Sequence, residues 1–281
     1  MNKKKLGIIG LGYVGSAVFE GLKDYHSIET FDNAKESTCN NIIDLVNASD
    51  IIFVAVPTPM NKKGECDLSI VKDVMSSINE VSKNDKIVIL KSTSIPQTTN
   101  ILAETYKNLK IVFNPEFLTE KNFIDDFKNQ EFIVIGGEKN ASQEVKEMYE
   151  VAFPDSKYFL TDSVSAETVK YTINNFLALK VSFANEIYSL CEAIGIDYNS
   201  MINIASEDQR LGKSHWMVPG HDGSFGYGGS CFPKDVSALN AKMNDLNLKS
   251  YIINACLRRN IELDRPEKDW ELLRGRAISE N

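Results

Sequence analysis

The sequence has little positive charge and no long apolar run. Its 39 acidic residues outnumber its 31 basic residues, which gives a formal net charge of −8. Broad nucleic-acid surfaces depend on clustered Lys and Arg, so we expect no nucleic-acid partner. No stretch approaches the roughly 18 uninterrupted apolar residues of a membrane-spanning helix, so we expect no membrane partner either.

The cysteines are few, odd in number and irregularly spaced. They are Cys39, Cys66, Cys191, Cys231 and Cys256. This arrangement fits neither a disulfide framework nor a tetrahedral zinc site. We therefore expect no metal ion and a reducing, cytoplasmic environment.

The composition that remains is that of an ordinary globular protein, with 43% hydrophobic and 25% charged residues. In the first half, short runs rich in Ile and Val alternate with longer amphipathic segments. The runs are typical of buried strands and are Leu6–Ile9, Ile51–Val56, Ile87–Leu90, Ile111–Phe113 and Phe132–Ile135. Helical patterns lie between them at Val14–Leu22, Ser69–Val81 and Thr99–Tyr106. This order predicts an α/β fold with a parallel sheet wound on both faces.

The hydrophobic period changes near Ser163. From there apolar residues follow helical spacing through to Ile194, and Gly195 supplies a stop. We expect one long central helix, followed by a largely helical segment with a glycine-rich loop at Pro219–Gly229. The charged tail from Arg265 to Asn281 is expected to be poorly anchored.

A glycine-rich motif, Gly10-Leu-Gly-Tyr-Val-Gly15, separates the first predicted strand from the first predicted helix. Gly10 permits a tight turn, Gly12 lets the backbone approach a pyrophosphate, and Gly15 lets the helix pack on the strand. The helix N-terminus attracts the phosphate charge. This context favours a dinucleotide-binding loop over a secretory signal peptide or an incidental glycine-rich turn.

An acidic residue, Asp32, follows the point where the second strand should end. A carboxylate there can accept hydrogen bonds from the adenosine ribose hydroxyls, and it repels a 2′-phosphate. The sequence therefore predicts NAD rather than NADP.

Polar residues follow three further strands, at the edge where an open parallel sheet binds ligands. They belong to Val54-Ala-Val-Pro-Thr-Pro59, Lys91-Ser-Thr93 and Asn114-Pro-Glu-Phe-Leu118. Hydroxyl groups in the first two can reach a cofactor or substrate, although such residues are more often simple turn formers. The third segment places Glu116 at the same edge, with Glu120 close by, although an isolated glutamate there is usually solvated surface.

Two polar residues, Lys170 and Asn174, lie four apart in the long helical segment and therefore on one largely apolar face. A lysine on such a face must extend its charge to solvent, form an ion pair or take part in chemistry. The spacing alone favours the first of these.

The loop Gly226-Tyr-Gly-Gly-Ser-Cys-Phe-Pro-Lys-Asp235 carries the most unusual chemistry. Its glycines let the backbone close around a ligand, and Lys234 and Asp235 add both signs of charge. A cysteine is usually a small buried hydrophobe. In this setting, however, Cys231 is a candidate nucleophile.

Together these segments resemble the UDP-glucose/GDP-mannose dehydrogenase family. The matching motifs occur in the family's order: GLGYVG at 10–15, VPTP at 56–59, KST at 91–93, NPEFL at 114–118, the Lys170/Asn174 helix with KVSFANE at 180–186, and GYGGSCFPKD at 226–235. The resemblance implies a Rossmann NAD-binding domain at 1–162. It implies a central helix with an α-helical dimerisation and substrate domain at 163–281.

The resemblance also implies an activity, the two-step oxidation of the C6 alcohol of a nucleotide sugar to a carboxylate with NAD, most simply UDP-glucose to UDP-glucuronate. Cys231 would hold the intermediates as a thiohemiacetal and then a thioester. Developing oxyanions in such steps need preorganised donors, each typically worth about 3 kcal/mol.

Five other residues take catalytic roles in this interpretation. Lys170 and Asn174 would stabilise the oxyanion, and Asp235 would help Lys170 to order water. Glu116 and Thr93 would assist water in thioester hydrolysis.

The resemblance assigns binding roles as well. Cofactor contacts fall to Gly10, Gly12, Tyr13, Val14, Gly15, Asp32, Pro57, Thr58, Thr93 and Lys234. Substrate contacts fall to Phe117, Leu118, Glu120, Lys170, Asn174, Arg210, Phe225, Tyr227 and Gly228. Arg210 matches an arginine that reaches into the partner subunit's substrate site, so a homodimer through the central helix is expected.

The chain departs from the family pattern in two respects. The usual KSTVPPGT reads Lys91-Ser-Thr-Ser-Ile-Pro-Gln-Thr98, which keeps Thr93 but changes the loop behind it. The family also continues into a C-terminal α/β domain that supplies part of the nucleotide site. The resemblance therefore predicts weak substrate binding by this sequence alone, or a second polypeptide that completes the site.

Several alternatives stay open at this point. The substrate could be GDP-mannose or a UDP-N-acetylhexosamine, because the motifs concern C6 and the pyrophosphate. The chain could be a non-catalytic NAD- or sugar-nucleotide-binding remnant or a partner subunit. It could also be a 6-phosphogluconate or 3-hydroxyacid dehydrogenase, which would need no cysteine.

Overall fold

The computed structural model describes residues 3–82 and 86–280. The chain forms two compact units. The first comprises the described residues up to Thr58 together with Leu68–Lys170, and the second comprises Pro59–Asp67 and the described residues from Tyr171 onward. The units divide between Lys170 and Tyr171, within a long helix that begins at Ser163. The sequence predicts a division after residue 162, directly before that helix.

A seven-stranded sheet forms the centre of the first unit, in the order β2-β1-β3-β4-β5-β6-β7. The strands are β1 (Lys5–Ile9), β2 (Ser27–Phe31), β3 (Ile51–Val54), β4 (Lys86–Leu90), β5 (Leu109–Phe113), β6 (Phe132–Gly137) and β7 (Lys157–Thr161). Strands β1 to β5 pair in parallel, whereas β6 is antiparallel to β5 and parallel to β7. The predicted α/β fold is confirmed, with one antiparallel pairing that was not foreseen.

Both faces of the sheet are covered, as the apolar runs predict. Along β3, Ile51 and Phe53 enter one core cluster, while Ile52 and Val54 enter the other. This is the alternation of a strand buried on both sides. The first cluster is completed by α1 (Tyr13–Leu22), α5 (Phe123–Lys128) and α6 (Lys139–Glu150), and the second by α2 (Ile42–Ala48), α3 (Ser69–Val81) and α4 (Thr98–Thr105).

The five predicted strands are all present, but two details differ. The strand predicted to reach Val56 ends at Val54, because the chain turns into the Pro57 and Pro59 segment. Strand β7 was not predicted. It lies at the edge of the sheet with Phe159 and Leu160 54% and 42% exposed, so it lacks the buried apolar pattern.

The second unit is helical. The long helix α7 (Ser163–Ile194) has the predicted bounds, and Gly195 follows it with the φ of 74° that ends many helices. Helices α8 (Tyr198–Ala205), α9 (Phe232–Asp245) and α10 (Tyr251–Arg259) follow, with a π-helical turn at Asn260–Asp264 and a 3₁₀ turn at Asp269–Leu272. The loop before α9 is longer than predicted, because positive φ angles at Gly212 and His215 prevent a helix there.

The C-terminal tail is anchored, so the expectation of a loose tail is wrong for the described residues up to 280. Arg265 and Trp270 are 1% and 3% exposed, and Ala277 is fully buried. The amide of Met60 donates to Ala277 O at 2.9 Å, and the amide of Ser279 donates to Met60 O at 2.9 Å. These contacts join residues far apart in the chain, and local charge patterns do not reveal them.

Candidate active site

The glycine loop of the first unit has the geometry that its motif predicts. Gly10 follows β1 with a φ of 91°, and a β-carbon there would lie 2.6 Å from Ala55 O. A β-carbon at Gly15 would overlap Gly10 O, so the helix packs closely on the turn. Nothing lies within 4 Å of the corresponding position at Gly12, which is exposed at the start of α1. The loop therefore leaves its backbone open to an anionic ligand, at the point where the strand order reverses.

Asp32 lies directly after β2 and beside this loop. Its Oδ2 accepts a hydrogen bond from the Leu11 amide at 2.6 Å, and its Oδ1 accepts from the amides of Ala34 and Lys35 at 2.8 and 3.0 Å. Partial burial opposes its ionisation, but these donors hold the pKa of Asp32 below its usual value. The carboxylate is therefore an anion fixed at the ribose end of a dinucleotide loop.

The other predicted cofactor residues of the first unit lie at the same edge of its sheet. Pro57 is exposed and Thr58 buried after β3, and Thr93 is partly buried after β4. At the start of α1, Val14 is partly buried, and the Tyr13 ring lies 5.1 Å from that of Phe123. Their contacts with a cofactor stay predictions.

A buried ion pair joins the loop after β5 to the first part of α7. Lys170 Nζ donates to Glu116 Oε1 at 2.8 Å and to Glu116 O at 2.5 Å, and the two side chains are only 4% and 9% exposed. Burial opposes the charge of Glu116, but Lys170 keeps its pKa below the usual value. The Leu118 amide donates to Glu116 Oε2 at 2.8 Å, and the Phe117 ring centre lies 5.5 Å from Lys170 Nζ. The pair can therefore hold a carboxylate in place for proton transfer.

Lys91 belongs to the same region, and the sequence analysis gave it no role. Its Nζ donates to Asn114 Oδ1 at 2.9 Å, and the same oxygen accepts from the Tyr149 hydroxyl at 2.7 Å. Burial lowers the pKa of Lys91 to about 7. Lys91 and Glu116 line a cavity of about 390 Å³. A lysine at the exact end of a buried strand was the available signal, since parallel strands end at the ligand edge.

In the second unit, Cys231 occupies the N-cap position of α9, and its side chain makes no capping hydrogen bond. It lies two residues after Gly229, whose φ is 70°, and it is partly exposed. A helix N-terminus favours negative charge, and this position is one that lowers thiol pKa values in proteins generally. The loop thus places its thiol at a helix N-terminus, a position that favours negative charge.

Asp235 in the first turn of α9 connects two predicted site residues. It accepts hydrogen bonds from Asn174 Nδ2 and from Lys234 Nζ, both at 2.6 Å, and it is 1% exposed. Burial opposes the charge of Lys234, but Asp235 raises the pKa of that lysine. Lys234 is therefore committed to Asp235, and its predicted contact with a cofactor stays a prediction.

The remaining predicted substrate residues differ in exposure. Arg210 is 88% exposed in its side chain and pairs with Asp208, and Glu120 is also exposed. Phe225 is 43% exposed, whereas Tyr227 is 3% exposed and packs in a core cluster with its backbone held by Asn260. Their roles in substrate binding stay predictions.

Residues 3–82 and 86–280 contain no group of three or more His, Cys, Asp or Glu side chains arranged to hold a metal ion. The same residues contain no helix with both the length and the hydropathy to cross a membrane.

The fold and the glycine loop define a dinucleotide-binding α/β protein, and comparison with known families specifies it further. Residues 30–153 match the NAD binding domain of the UDP-glucose/GDP-mannose dehydrogenase family, and residues 164–262 match the central domain of that family. The chain belongs to the UDP-glucose/GDP-mannose dehydrogenase family. Its cofactor is NAD, as the sequence predicts, and the open glycine loop with Asp32 fits that cofactor.

Individual relatives agree with this assignment. A UDP-glucose 6-dehydrogenase of Rickettsia bellii is 34% identical over 220 residues, covering 76% of this chain and 50% of the relative. A GDP-mannose 6-dehydrogenase of Pseudomonas savastanoi is 31% identical over 232 residues, covering 77% of this chain and 52% of the relative. The solved UDP-glucose dehydrogenase of Pyrobaculum islandicum superposes with a TM-score of 0.85 at 28% identity, covering 93% of this chain and 68% of that one. The chain thus spans about half the length of the curated relatives that it matches.

Proposed function

We propose that the chain oxidises the C6 alcohol of a nucleotide sugar to a carboxylate in two NAD-dependent steps, with Cys231 as the nucleophile. The observation that carries the proposal is the position of this thiol at the amino end of α9, after a glycine-rich loop and next to the Asp235–Lys234 pair. A simple alcohol dehydrogenase needs no such thiol. The five free cysteines suit a reducing cytoplasm, which we propose as the location.

The reaction balances with residues of the chain, water and NAD, which accepts a hydride in each oxidation. In the first, the C6 hydroxyl loses its proton to a base and the C6 carbon loses a hydride, giving an aldehyde. The Cys231 thiolate adds to the aldehyde carbon and a proton reaches the oxygen, giving a thiohemiacetal. Loss of a second hydride and a proton leaves a thioester, and water cleaves its C–S bond to release the acid and the thiol.

The proposed roles of the other residues follow from their contacts. Asn174 is held by Asp235, so its amide can donate to an oxyanion from a fixed position. The Glu116 carboxylate is ionised by Lys170, so it can accept a proton from attacking water. Thr93, at the end of β4, is proposed to orient the same water.

For the substrate we propose UDP-glucose, with GDP-mannose or a UDP-N-acetylhexosamine as alternatives. The support is the names of the relatives, one acting on UDP-glucose and one on GDP-mannose. None of the side chains described above identifies the base of the nucleotide. A panel of sugar nucleotides, assayed for NADH formation, therefore decides among these substrates.

We also propose a homodimer through α7. The helix exposes large apolar side chains at seven- and four-residue intervals, which places them on one stripe. Phe176, Phe183, Leu190 and Ile194 are between 52% and 63% exposed. A stripe of this kind is covered in most stable proteins, and a second copy of the helix would cover it.

The central test is the stoichiometry of the reaction together with a cysteine variant. We expect two NADH for each sugar oxidised, and a loss of at least roughly 1000-fold in acid formation in Cys231→Ala. The matched control is Cys39→Ala, a partly buried thiol of the first unit, which should retain full turnover. Unimpaired turnover by Cys231→Ala would refute the mechanism.

Calorimetric titration with NAD and, separately, with UDP-glucose tests the alternative of a non-catalytic binding protein. Binding of both ligands without NADH formation would favour that alternative. A second polypeptide that completes the substrate site stays a prediction of the family resemblance. Micromolar UDP-glucose binding with ordinary turnover by the chain alone would show that no such partner is needed.

A further inference from the structure

The C-terminal segment of the second unit touches the loop that carries Cys231. Arg276 Nη2 donates to Ser230 Oγ at 3.3 Å, and Ser230 is the residue immediately before Cys231. Ser230 is 8% exposed, and its Oγ lies 3.8 Å from Cys231 Sγ, within hydrogen-bonding range for sulfur. Arg276 is therefore two hydrogen-bonding steps from the thiol. The segment lies beyond the part of the chain that matches the central domain of the family, which ends at residue 262.

The backbone around Arg276 is held on both sides. Before it, the Gly275 amide donates to Ile278 O at 2.8 Å, which closes a turn. After it, Ala277 and Ser279 pair with Met60, and Ser279 Oγ donates to Asp67 Oδ2 at 2.8 Å. The guanidinium is thus presented to Ser230 from a fixed backbone rather than from a loose tail.

The direction of the hydrogen bonds follows from the chemistry of the groups. A guanidinium has only donors, so Ser230 Oγ must be the acceptor in its bond with Arg276. A hydroxyl that accepts in this way is polarised, and its own proton can be donated to a nearby acceptor. The sulfur of Cys231 accepts more strongly as a thiolate than as a thiol, so such a donation favours the thiolate.

We propose that Arg276 is a positioning residue that acts through Ser230, orienting the Ser230 hydroxyl toward Cys231 so that the reactive thiolate is stabilised. The proposal rests on the nucleophilic role of Cys231 under the proposed function. It adds a charged group from the C-terminal segment to the helix N-terminus as a support of the thiolate.

The experiment measures the alkylation rate of Cys231 by iodoacetamide between pH 6 and pH 10, with peptide mass spectrometry to distinguish the five cysteines. At pH 7 we expect Arg276→Ala to slow the alkylation of Cys231 about three- to tenfold and to move its pH–rate curve to higher pH. Arg276→Lys, which keeps a cationic donor, should restore part of the rate. The alkylation rate of Cys39 in the same sample reports any general loosening of the fold.

Three further variants keep the test decisive. Ser230→Ala removes the intermediate hydroxyl without touching the C-terminal segment, and it should shift the curve of Cys231 in the same direction. Combining it with Arg276→Ala should add little, because both changes break one chain of hydrogen bonds. Arg274→Ala removes the same charge from an exposed position two residues away and should leave the curve unchanged.

The outcomes separate this inference from the proposed function. An unchanged curve in Arg276→Ala, or an equal shift in Arg274→Ala, would overturn the inference. Labelling requires neither NAD nor a sugar. A Cys231 reactivity that depends on Arg276 and Ser230 in a chain without dehydrogenase activity would therefore support the inference and refute the function.

Discussion

Gly228 packs directly against the guanidinium of Arg265 in the second unit. A β-carbon at residue 228 would overlap Nη1 of Arg265, which is 1% exposed and pairs with Asp222. Asp269 Oδ1 lies 3.3 Å from Arg265 Nε and 3.2 Å from the same β-carbon position. The glycine of the Cys231 loop therefore makes room for a buried arginine of the C-terminal segment.

The first prediction follows from this contact. Gly228→Ala should lower the free energy of unfolding by about 1 to 3 kcal/mol, the usual cost of overpacking. Gly12→Ala is the control for stability, because nothing lies within 4 Å of its β-carbon. In an Arg265→Ala background the cost of Gly228→Ala should shrink, as urea unfolding of the four variants would show. An equal cost in both backgrounds would mean that Arg265 is not the obstacle.

The second prediction concerns the departure from the family's KSTVPPGT motif. Gln97 stands where the family has glycine, and its φ is 86° with its amide donating to Glu167 Oε2 at 2.7 Å. This left-handed conformation costs a residue with a β-carbon about 1 to 2 kcal/mol. Glycine avoids that cost, but it loses more conformational entropy on folding, which offsets part of the gain. Gln97→Gly should therefore raise the free energy of unfolding by about 0.5 to 1 kcal/mol.

Gln97→Ala is the matched control for that prediction. Alanine removes the side chain but keeps the β-carbon, so it should give no gain in thermal or urea unfolding. A gain in both variants would show that the side chain of Gln97, rather than its backbone conformation, is unfavourable.

Local patterns were sufficient for most of the first unit and insufficient for the contacts between distant segments. Most strands were predictable because a strand buried on both faces reads as a continuous apolar run, and α7 was predictable because its apolar residues recur at helical spacing. Strand β7 lies at the exposed edge of the sheet and lacks a buried apolar run. The anchoring of the C-terminal segment depends on Met60, Gly228 and Ser230, which lie far away in sequence.

The candidate site shows the same division. The glycine loop and Asp32 were predictable because each requirement of a dinucleotide is met by a residue type at a fixed place in a strand–turn–helix unit. The partners of the charged side chains in the site could not be predicted. Spacing along one helix does not reveal that Lys170 pairs with Glu116, or that Asp235 holds both Asn174 and Lys234.

The third prediction concerns the pH dependence of stability. The pKa of Lys91 is about 7 in the folded chain and 10.5 in its ordinary state, because burial disfavours the charge. Between these values the unfolded chain binds more protons, so the free energy of unfolding rises with pH by up to about 1.4 kcal/mol per pH unit. Below pH 7 both states are protonated and this contribution is flat.

Lys91→Met should remove that rise, as urea unfolding at pH 7, 8 and 9 would show by comparison with the wild type. Lys107→Met, at an exposed position of the same unit, should keep the wild-type slope. Parallel slopes for Lys91→Met and the wild type would mean that Lys91 is protonated throughout this range.

The fourth prediction tests the cofactor specificity assigned to Asp32. Asp32→Ala removes the ribose acceptor and also the acceptor of the Leu11, Ala34 and Lys35 amides. We expect NAD binding to weaken at least roughly tenfold, as the loss of a charge-assisted hydrogen bond implies, with a smaller effect on NADP. Calorimetry with both cofactors measures the ratio. The exposed Asp24→Ala is the control, and an unchanged ratio in Asp32→Ala would place Asp32 outside cofactor recognition.

The last prediction tests whether Arg210 acts across a dimer. Its guanidinium is 88% exposed and pairs with Asp208, whose side chain is 40% exposed, so solvent screens this ion pair and Arg210 can leave it. If Arg210 completes the site of the partner subunit, an Arg210→Ala chain paired with a Cys231→Ala chain forms one intact site. Random exchange of equal amounts makes half of the dimers mixed, so about a quarter of wild-type NADH formation should return. Subunits with different affinity tags establish that exchange has occurred, and Arg210→Ala alone supplies the baseline. Exchange without any recovery would place Arg210 in the site of its own subunit, because a mixed dimer would then contain no subunit with both residues. Wild-type turnover by Arg210→Ala alone would place Arg210 outside the site.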